Sequence, residues 1–407
     1  MPVSSSVLTV DQYRQHLLSL VDGWPKVESC DLAAAAGRTL AESVRAAQDL
    51  PPFANSAMDG FGIALGAAPT DRMVAAYQVV ADLPAGRDPA TGGPVGPGQA
   101  VRIMTGAALA PGVDTVVPLE DAVVEADTVR FVAPVRLGQH IRAAGEDLAA
   151  GAEVLQPGTR LAPRHLAAAA AAGWGQLQVA GRPRVAIVTT GDELADPGQR
   201  LGPATIADSN GPYLRAAVAA AGANDVGAWR VHDDPAELRS ALDQAAGLAD
   251  LIVVAGGVSA GDRDVTRALL APTGLFTAVA MQPGKPQGYG RWADCPVVAL
   301  PGNPVSVAVS FAVFVRPLLA AMLGLAPAMS WSGVVRRGWS SPAGRRQFMP
   351  VALSPGGDVT VALAPASAGG AGSHLVASLA LADALAVVPE AVSQVKPGQR
   401  LELVELV

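Results

Sequence analysis

The spacing of apolar and polar positions changes four times along the 407 residues. Up to about Gln48 the spacing is helical, with a polar join. From Asp49 to about His140 it shortens to the alternating runs MVAAYQVV, QAVRIMTGA, DTVVPLED and DTVRFVAPV, broken by Pro and Gly. Runs of that kind predict a compact β or α+β domain. LAPRHLAAAAAAGW, Leu161 to Trp174, predicts a helix stopped at Gly173 or Gly175.

From Arg184 onward, apolar strands alternate with helices. RVAIVTTG predicts a strand and SNGPYLRAAVAAAG a helix with Ser209 or Asn210 at its start. DDPAELRSALDQAAGLAD predicts a helix capped by Asp234, with Pro235 in the first helical position and Glu237 three residues after the cap. ADLIVVAGG, GLFTAVAMQPG and CPVVALPGN predict three more strands. NPVSVAVSFAVFVRPLLAAML predicts the closing helix, capped by Asn303 with Pro304 next. Such alternation implies a parallel sheet covered on both faces. After about Met329 the pattern is β again, in WSGVVRRGW, RRQFMPVAL, DVTVALAP, ALAVVPE and RLELVELV, and predicts a small barrel-like domain.

The expected organisation is therefore multidomain, α/β plus β. Residues 1–48 with 141–182 would form a discontinuous helical or linker domain, and 49–140 a β-rich inserted domain. Residues 183–328 would form a doubly wound α/β domain, and 329–407 the C-terminal barrel-like domain. Half of the residues are apolar and 16% are charged, which is ample for several cores. A net charge of -7 with no basic stripe argues against nucleic acid. Two distant cysteines, Cys30 and Cys295, fit a reducing cytoplasm, and five scattered histidines give no metal-ligand spacing. The N-terminus lacks the marks of a signal peptide. CPVVALPGNPVSVAVSFAVFV is long enough to span a membrane, but LPGNP splits it and Arg316-Pro317 follow, so it is read as strand plus core helix.

In open α/β sheets, ligands bind outside the carboxyl ends of the strands. Four such ends carry polar, glycine-rich loops: TTGDEL, GGVSAGDRDV, QPGKPQGYG and LPGNPVSV. Gly256, Gly257 and Gly261 let backbone amides approach phosphate oxygens. Gly302, Asn303 and Pro304 open a helix whose N-terminus favours an anion. Lys285 supplies a point charge. Asp192, Glu193, Asp262 and Asp264 would repel a bare phosphate, but a bridging Mg2+ makes them sensible. A Mg2+-bridged di- or polyphosphate is the ligand this set implies. G-V-S-A-G also matches the nucleophile elbow of serine hydrolases. That reading fails for want of a base, because only His374, in the C-terminal β region, follows Ser259.

PPFANSAMDGFGI and RIMTGAALAPGVDTVV add a second polar cluster, around Asp59 and Thr105. With IRAAGEDL, TTGDEL, SNGPYL, GGVSAGDRDV, PGKPQGYG and LPGNPVS, the chain resembles the molybdopterin molybdenumtransferase family, which is related to the C-terminal part of gephyrin. Eight motifs in the family's order make the resemblance specific. It departs at Phe61-Gly62, where the family often has an aromatic-Ala pair, and at Gly372 to His374.

The resemblance implies that the α/β domain binds molybdopterin, and that the chain is a homodimer whose cleft is shared between subunits. The implied reaction inserts molybdenum from molybdate into adenylylated molybdopterin, releasing AMP, with Mg2+ required. The implied catalytic set is Asp59, Thr105, Glu193, Asp264 and Lys285, with Glu193 and Asp264 as Mg2+ ligands. The implied substrate or phosphate contacts are Ser56, Asp147, Gly256, Gly257, Ser259, Gly261, Pro283, Gly284, Gly302, Asn303 and Pro304. Other proteins of molybdenum cofactor synthesis are implied partners. The alternatives are a molybdopterin adenylyltransferase and a non-catalytic scaffold.

Overall fold

Leu251–Ala255 is buried along its whole length because a parallel strand flanks it on either side. It is the third strand of a six-stranded sheet ordered Asn224–Val231, Arg184–Thr190, Leu251–Ala255, Cys295–Leu300, Pro286–Trp292, Leu275–Ala278. The first four run parallel, and their Val, Ile and Leu side chains feed two cores, one on each face. The parallel core is as expected, and Pro286–Trp292 extends it by pairing antiparallel with both Cys295–Leu300 and Leu275–Ala278. The QPGKPQGYG segment is only partly a loop, since Pro286–Trp292 is a strand hairpinned onto Leu275–Ala278. A short connection cannot return the chain for a parallel pairing, so the hairpin is forced.

The computed structural model describes residues 7–66, 76–259, 264–326, 331–354, 358–361 and 372–406. It divides into two units, Met1–Glu28 with Ala180–Val407, and Ser29–Val179. The first unit begins with the helix Val10–Leu18, whose Val10, Tyr13 and Leu17 enter the core of the α/β sheet. Helical spacing does not continue to Gln48, because Pro25 and Gly37 break the stretch into short strands and turns.

The core helix beginning at Pro304 runs to Met322 with a π-helical turn at Phe311–Val315. An 18-residue window of these 19 residues has a mean hydropathy of 2.0, enough to cross a membrane by length and composition, but 78% of that apolar window is buried inside the protein. The five strands Trp331–Val335, Arg346–Leu353, Asp358–Val361, Ala384–Val388 and Arg400–Glu405 close on one another as a barrel around Met349, Val351, Ala386 and Leu403.

The second unit is built on another six-stranded sheet, ordered Thr115–Pro118, Gly60–Ile63, Gln99–Ile103, Tyr77–Leu83, Thr128–Phe131, Ala122–Glu125. A smaller core around Leu40, Leu161 and Val179 includes the helix Pro163–Ala171. Phe61 is buried in the sheet's own core, and a Cβ on Gly62 would press on Val113, so packing within the sheet accounts for both residues.

Candidate active site

The chain runs from Arg184–Thr190 outward to Asn224–Val231, then crosses back to Leu251–Ala255 on the other side. Such a reversal opens a crevice at the carboxyl ends of the two inner strands. A cavity of about 300 Å³ lies there. Its lining brings together Glu193, Gly257, Ser259, Asp264, Pro286, Gly302, Asn303 and Pro304 from all four polar segments, with Asn210. Gly256, Pro283, Gly284 and Lys285 stand off the lining, the last three on the turn that leads into Pro286. Gly261 and Asp262 lie outside the described residues.

The cavity's charged groups differ in how they are held. Ser259 Oγ donates to Asp264 Oδ2 at 2.9 Å, which gives the serine an orienting role rather than a nucleophilic one. Glu193 is exposed, and its carboxylate has no hydrogen-bond partner among the described residues. Asp192, by contrast, accepts the Asp233 amide at 3.0 Å and so anchors the neighbouring loop.

The glycines of GGVS have a structural reason beside any ligand. A Cβ on Gly256, at φ +114°, would lie 2.5 Å from the Thr190 carbonyl oxygen. One on Gly257, at φ +64°, would lie 2.7 Å from Thr266 Oγ1. The anion-favouring helix start at Asn303 is also partly used internally. Val305 N–H donates to the Ser373 carbonyl, and Asn303 Nδ2 to Ser373 Oγ at 3.1 Å. Pro304 has no N–H to offer.

Asp208 and Asn210 were not among the residues expected from sequence. Asp208 is buried and takes Thr189 Oγ1 at 2.8 Å on one oxygen, and the Asn210 and Gly211 amides at 2.9 and 3.0 Å on the other. It, not Ser209, caps the helix Asn210–Ala220. Asn210 Nδ2 then donates to the Gly302 carbonyl at 2.7 Å. A strand end, a helix start and the PGNP loop are thereby locked together around the cavity. The only sequence signal was a D-S-N run before an apolar helix, which reads as an ordinary cap.

In the second unit, Asp59 sits just before the strand Gly60–Ile63. Its Oδ1 accepts both the Thr105 amide at 2.6 Å and the Thr105 hydroxyl at 2.7 Å. The amide first, and then the hydroxyl, hold the Asp59 carboxyl below its ordinary pKa. Gly60 is fixed by packing, since a Cβ there would lie 2.0 Å from the Val117 carbonyl oxygen. Ser56 is buried and donates its hydroxyl to the Met58 carbonyl at 2.6 Å, so it braces the loop. Asn55–Ser56 pairs with Ile141–Arg142, and the Asp147 amide donates to the Leu50 carbonyl at 2.9 Å. The PPFANSAMDG, TGAA and GEDL segments therefore converge, with Asp59, Thr105 and Asp147 each at least partly solvent-accessible.

Three family descriptions match the chain in succession. They are the MoeA N-terminal region (domain I and II) over residues 8–173, a probable molybdopterin binding domain over 186–321, and the MoeA C-terminal region (domain IV) over 332–406. Molybdopterin molybdenumtransferase 2 of Mycobacterium tuberculosis is 40% identical over 390 residues, 92% of this chain and 94% of that protein. Molybdopterin molybdenumtransferase of Nostoc sp. is 37% identical over 319 residues, 76% of this chain and 73% of that one. The crystal structure of the molybdopterin biosynthesis MoeA protein of Pyrococcus horikoshii superposes with a TM-score of 0.82 at 28% identity, covering 98% of this chain and 99% of that one.

Proposed function

The chain belongs to the molybdopterin molybdenumtransferase family, and from that premise we propose that it inserts molybdenum from molybdate into adenylylated molybdopterin, releasing AMP. The observation that carries this reading is the switch-point cavity, where Glu193 and Asp264 stand beside Gly257 and the Gly302–Pro304 loop. Carboxylates in a phosphate-sized cleft are costly unless a cation lies between them and the phosphates.

The donor set suits Mg2+. Two carboxylates line one cavity, and among the described residues no group of three or more His, Cys, Asp or Glu side chains assembles. Phosphate oxygens and water would complete the shell, as this cation prefers. Bound there by Glu193 and Asp264, Mg2+ would neutralise the pyrophosphate and polarise the bond to be cut.

The chain's own residues do the rest. Ser259 holds Asp264 in place. Asn210 holds the Gly302 loop, and with it the cavity wall. Lys285 offsets charge as the molybdate dianion approaches. Asp59, whose Oδ1 is held by Thr105, orients water through its unshared Oδ2. No soft protein ligand is needed, since the substrate's own sulfurs receive the metal.

The family reading extends to a cytoplasmic homodimer whose cleft joins the α/β segment of one copy to the Asp59 segment of the other. A sedimentation mass near 41.0 kDa, that of a single chain, would remove the dimer. The decisive assay incubates purified protein with adenylylated molybdopterin, molybdate and Mg2+. AMP release coupled to cofactor formation is expected. Its absence would overturn the reading, and AMP transfer from ATP onto molybdopterin would replace it with adenylyltransferase activity.

A further inference from the structure

Lys285 is exposed and, among the described residues, has no ion-pair partner to aim it. Its direction must come from the backbone turn Pro283-Gly284-Lys285. Two residues on, Gln287 is fully buried in the strand Pro286–Trp292. Its Nε2 donates to the Gly284 carbonyl at 2.8 Å and to Ser310 Oγ at 2.7 Å. A carbonyl can only accept, so the amide nitrogen must face this way and both of its hydrogens are used.

We infer that Gln287 is a positioning residue whose buried amide ties the turn carrying Lys285 to the core helix that forms the cavity's far wall. The inference rests on the catalytic role proposed for Lys285 above.

Three further observations support it. Ser310 ends the α-helical run Pro304–Ser310, whose first residue lines the cavity with Pro286, so the tether joins the two elements that carry these lining residues. Gly284 has φ +95°, and a Cβ there would stand 3.1 Å from Ser310 Oγ and 3.2 Å from Gln287 Nε2. Only glycine combines that backbone with room for the clasp. The Gln287 Oε1 atom, meanwhile, is buried with no donor. An apolar residue of similar shape would leave no such acceptor unmet and would serve packing as well or better. What the glutamine adds is its grip on Gly284 and Ser310.

The remainder of the loop is held separately. Val279 N–H donates to the Lys285 carbonyl at 2.7 Å, and Met281–Gln282 pairs with Arg346–Gln347 of the barrel. These contacts anchor the loop at Gln282 and at the Lys285 carbonyl, and Gln287 holds the Pro283-Gly284 step between them.

The test uses full-length Gln287→Leu. Its thermal midpoint should stay close to that of the wild type, since removal of the unmet Oε1 offsets the Gly284 carbonyl left without its donor. Hydrogen exchange of peptides covering residues 279–285 should rise at least about tenfold with the rest of the chain unchanged, because the turn loses its tether. kcat/KM for molybdate should fall on the order of ten- to a hundredfold, the scale of a displaced catalytic group. In a Lys285→Met background, Gln287→Leu should cause no further kinetic loss. Unchanged exchange over 279–285, or an equal kinetic loss in both backgrounds, would overturn the inference. Ser310→Ala, which removes one tether, decides the matter if Gln287→Leu does not fold, since unchanged exchange there also overturns it. A wild-type protein that releases no AMP would sink the functional reading, while the exchange measurement still decides whether Gln287 fixes the turn.

Discussion

The Asp59 region and the α/β cavity both present carboxylates, yet they hold them differently. Asp59 is finished before any ligand arrives, because a backbone amide and a hydroxyl from Thr105 already fix one oxygen. Glu193 has no partner among the described residues, and the cavity around it is braced from behind by Asp208, Asn210 and Ser259. One region is preorganised down to its reacting group. The other preorganises its walls and leaves charge to be completed by what binds. A group that must orient water gains from rigidity, whereas a cation site shared with a phosphate needs open coordination positions.

That contrast can be broken by substitution. Asp59→Asn should give the largest effect, a loss of AMP release of about 10²–10³-fold, similar to removing a preorganised electrostatic group. Added Mg2+ should not recover it, and the melting midpoint should stay close to wild type. Full activity in this variant would take Asp59 out of the site. Glu193→Gln should raise the Mg2+ concentration for half-maximal rate by roughly a hundredfold, and excess Mg2+ should restore turnover. A loss insensitive to Mg2+ would show that Glu193 acts in the same manner as Asp59.

Ser259→Ala should cost less, roughly tenfold in Mg2+ requirement, as expected of a residue that orients a ligand. No change would leave Asp264 oriented by something else. Thr105→Val should have the smallest effect, seen by following the Asp59 carboxyl by NMR. The sign follows from the lowered pKa. Stability from the Asp59–Thr105 contacts is present above the ordinary carboxyl pKa and is lost as pH falls through the lowered one. Without the hydroxyl, the titration should move up toward the ordinary value. An unmoved titration would mean that the Thr105 amide alone holds Asp59.

The α/β segment and the barrel were legible in the sequence because buried parallel strands read as apolar runs and barrel strands as short alternating ones. Four polar segments at strand ends point to the cavity, and all four line it, QPGKPQGYG through Pro286 alone. The sequence is silent where one residue has two uses. Gly256 and Gly257 read as phosphate contacts, and Thr190 and Thr266 give both a packing reason as well, by filling the space a side chain would need. The Asn303 helix start looked open to an anion, but Ser373, seventy residues on, takes part of it. Asn210 reads only as a helix start, because the carbonyl it holds is 92 residues away. Local patterns carry caps and turns. They carry no information on which distant loop a side chain will meet.

The C-terminal barrel closes when Arg346–Leu353 pairs with both Asp358–Val361 and Ala384–Val388. Among the described residues each of its five strands then has a neighbour on both sides, and the end of Arg346–Leu353 that runs past the ring is taken by Met281–Gln282. A partner protein, or a second copy of the chain, therefore finds little free strand edge there to extend. Any recognition through the barrel must be written in side chains on its outer surface, which can diverge between relatives without disturbing the hydrogen-bonded frame beneath.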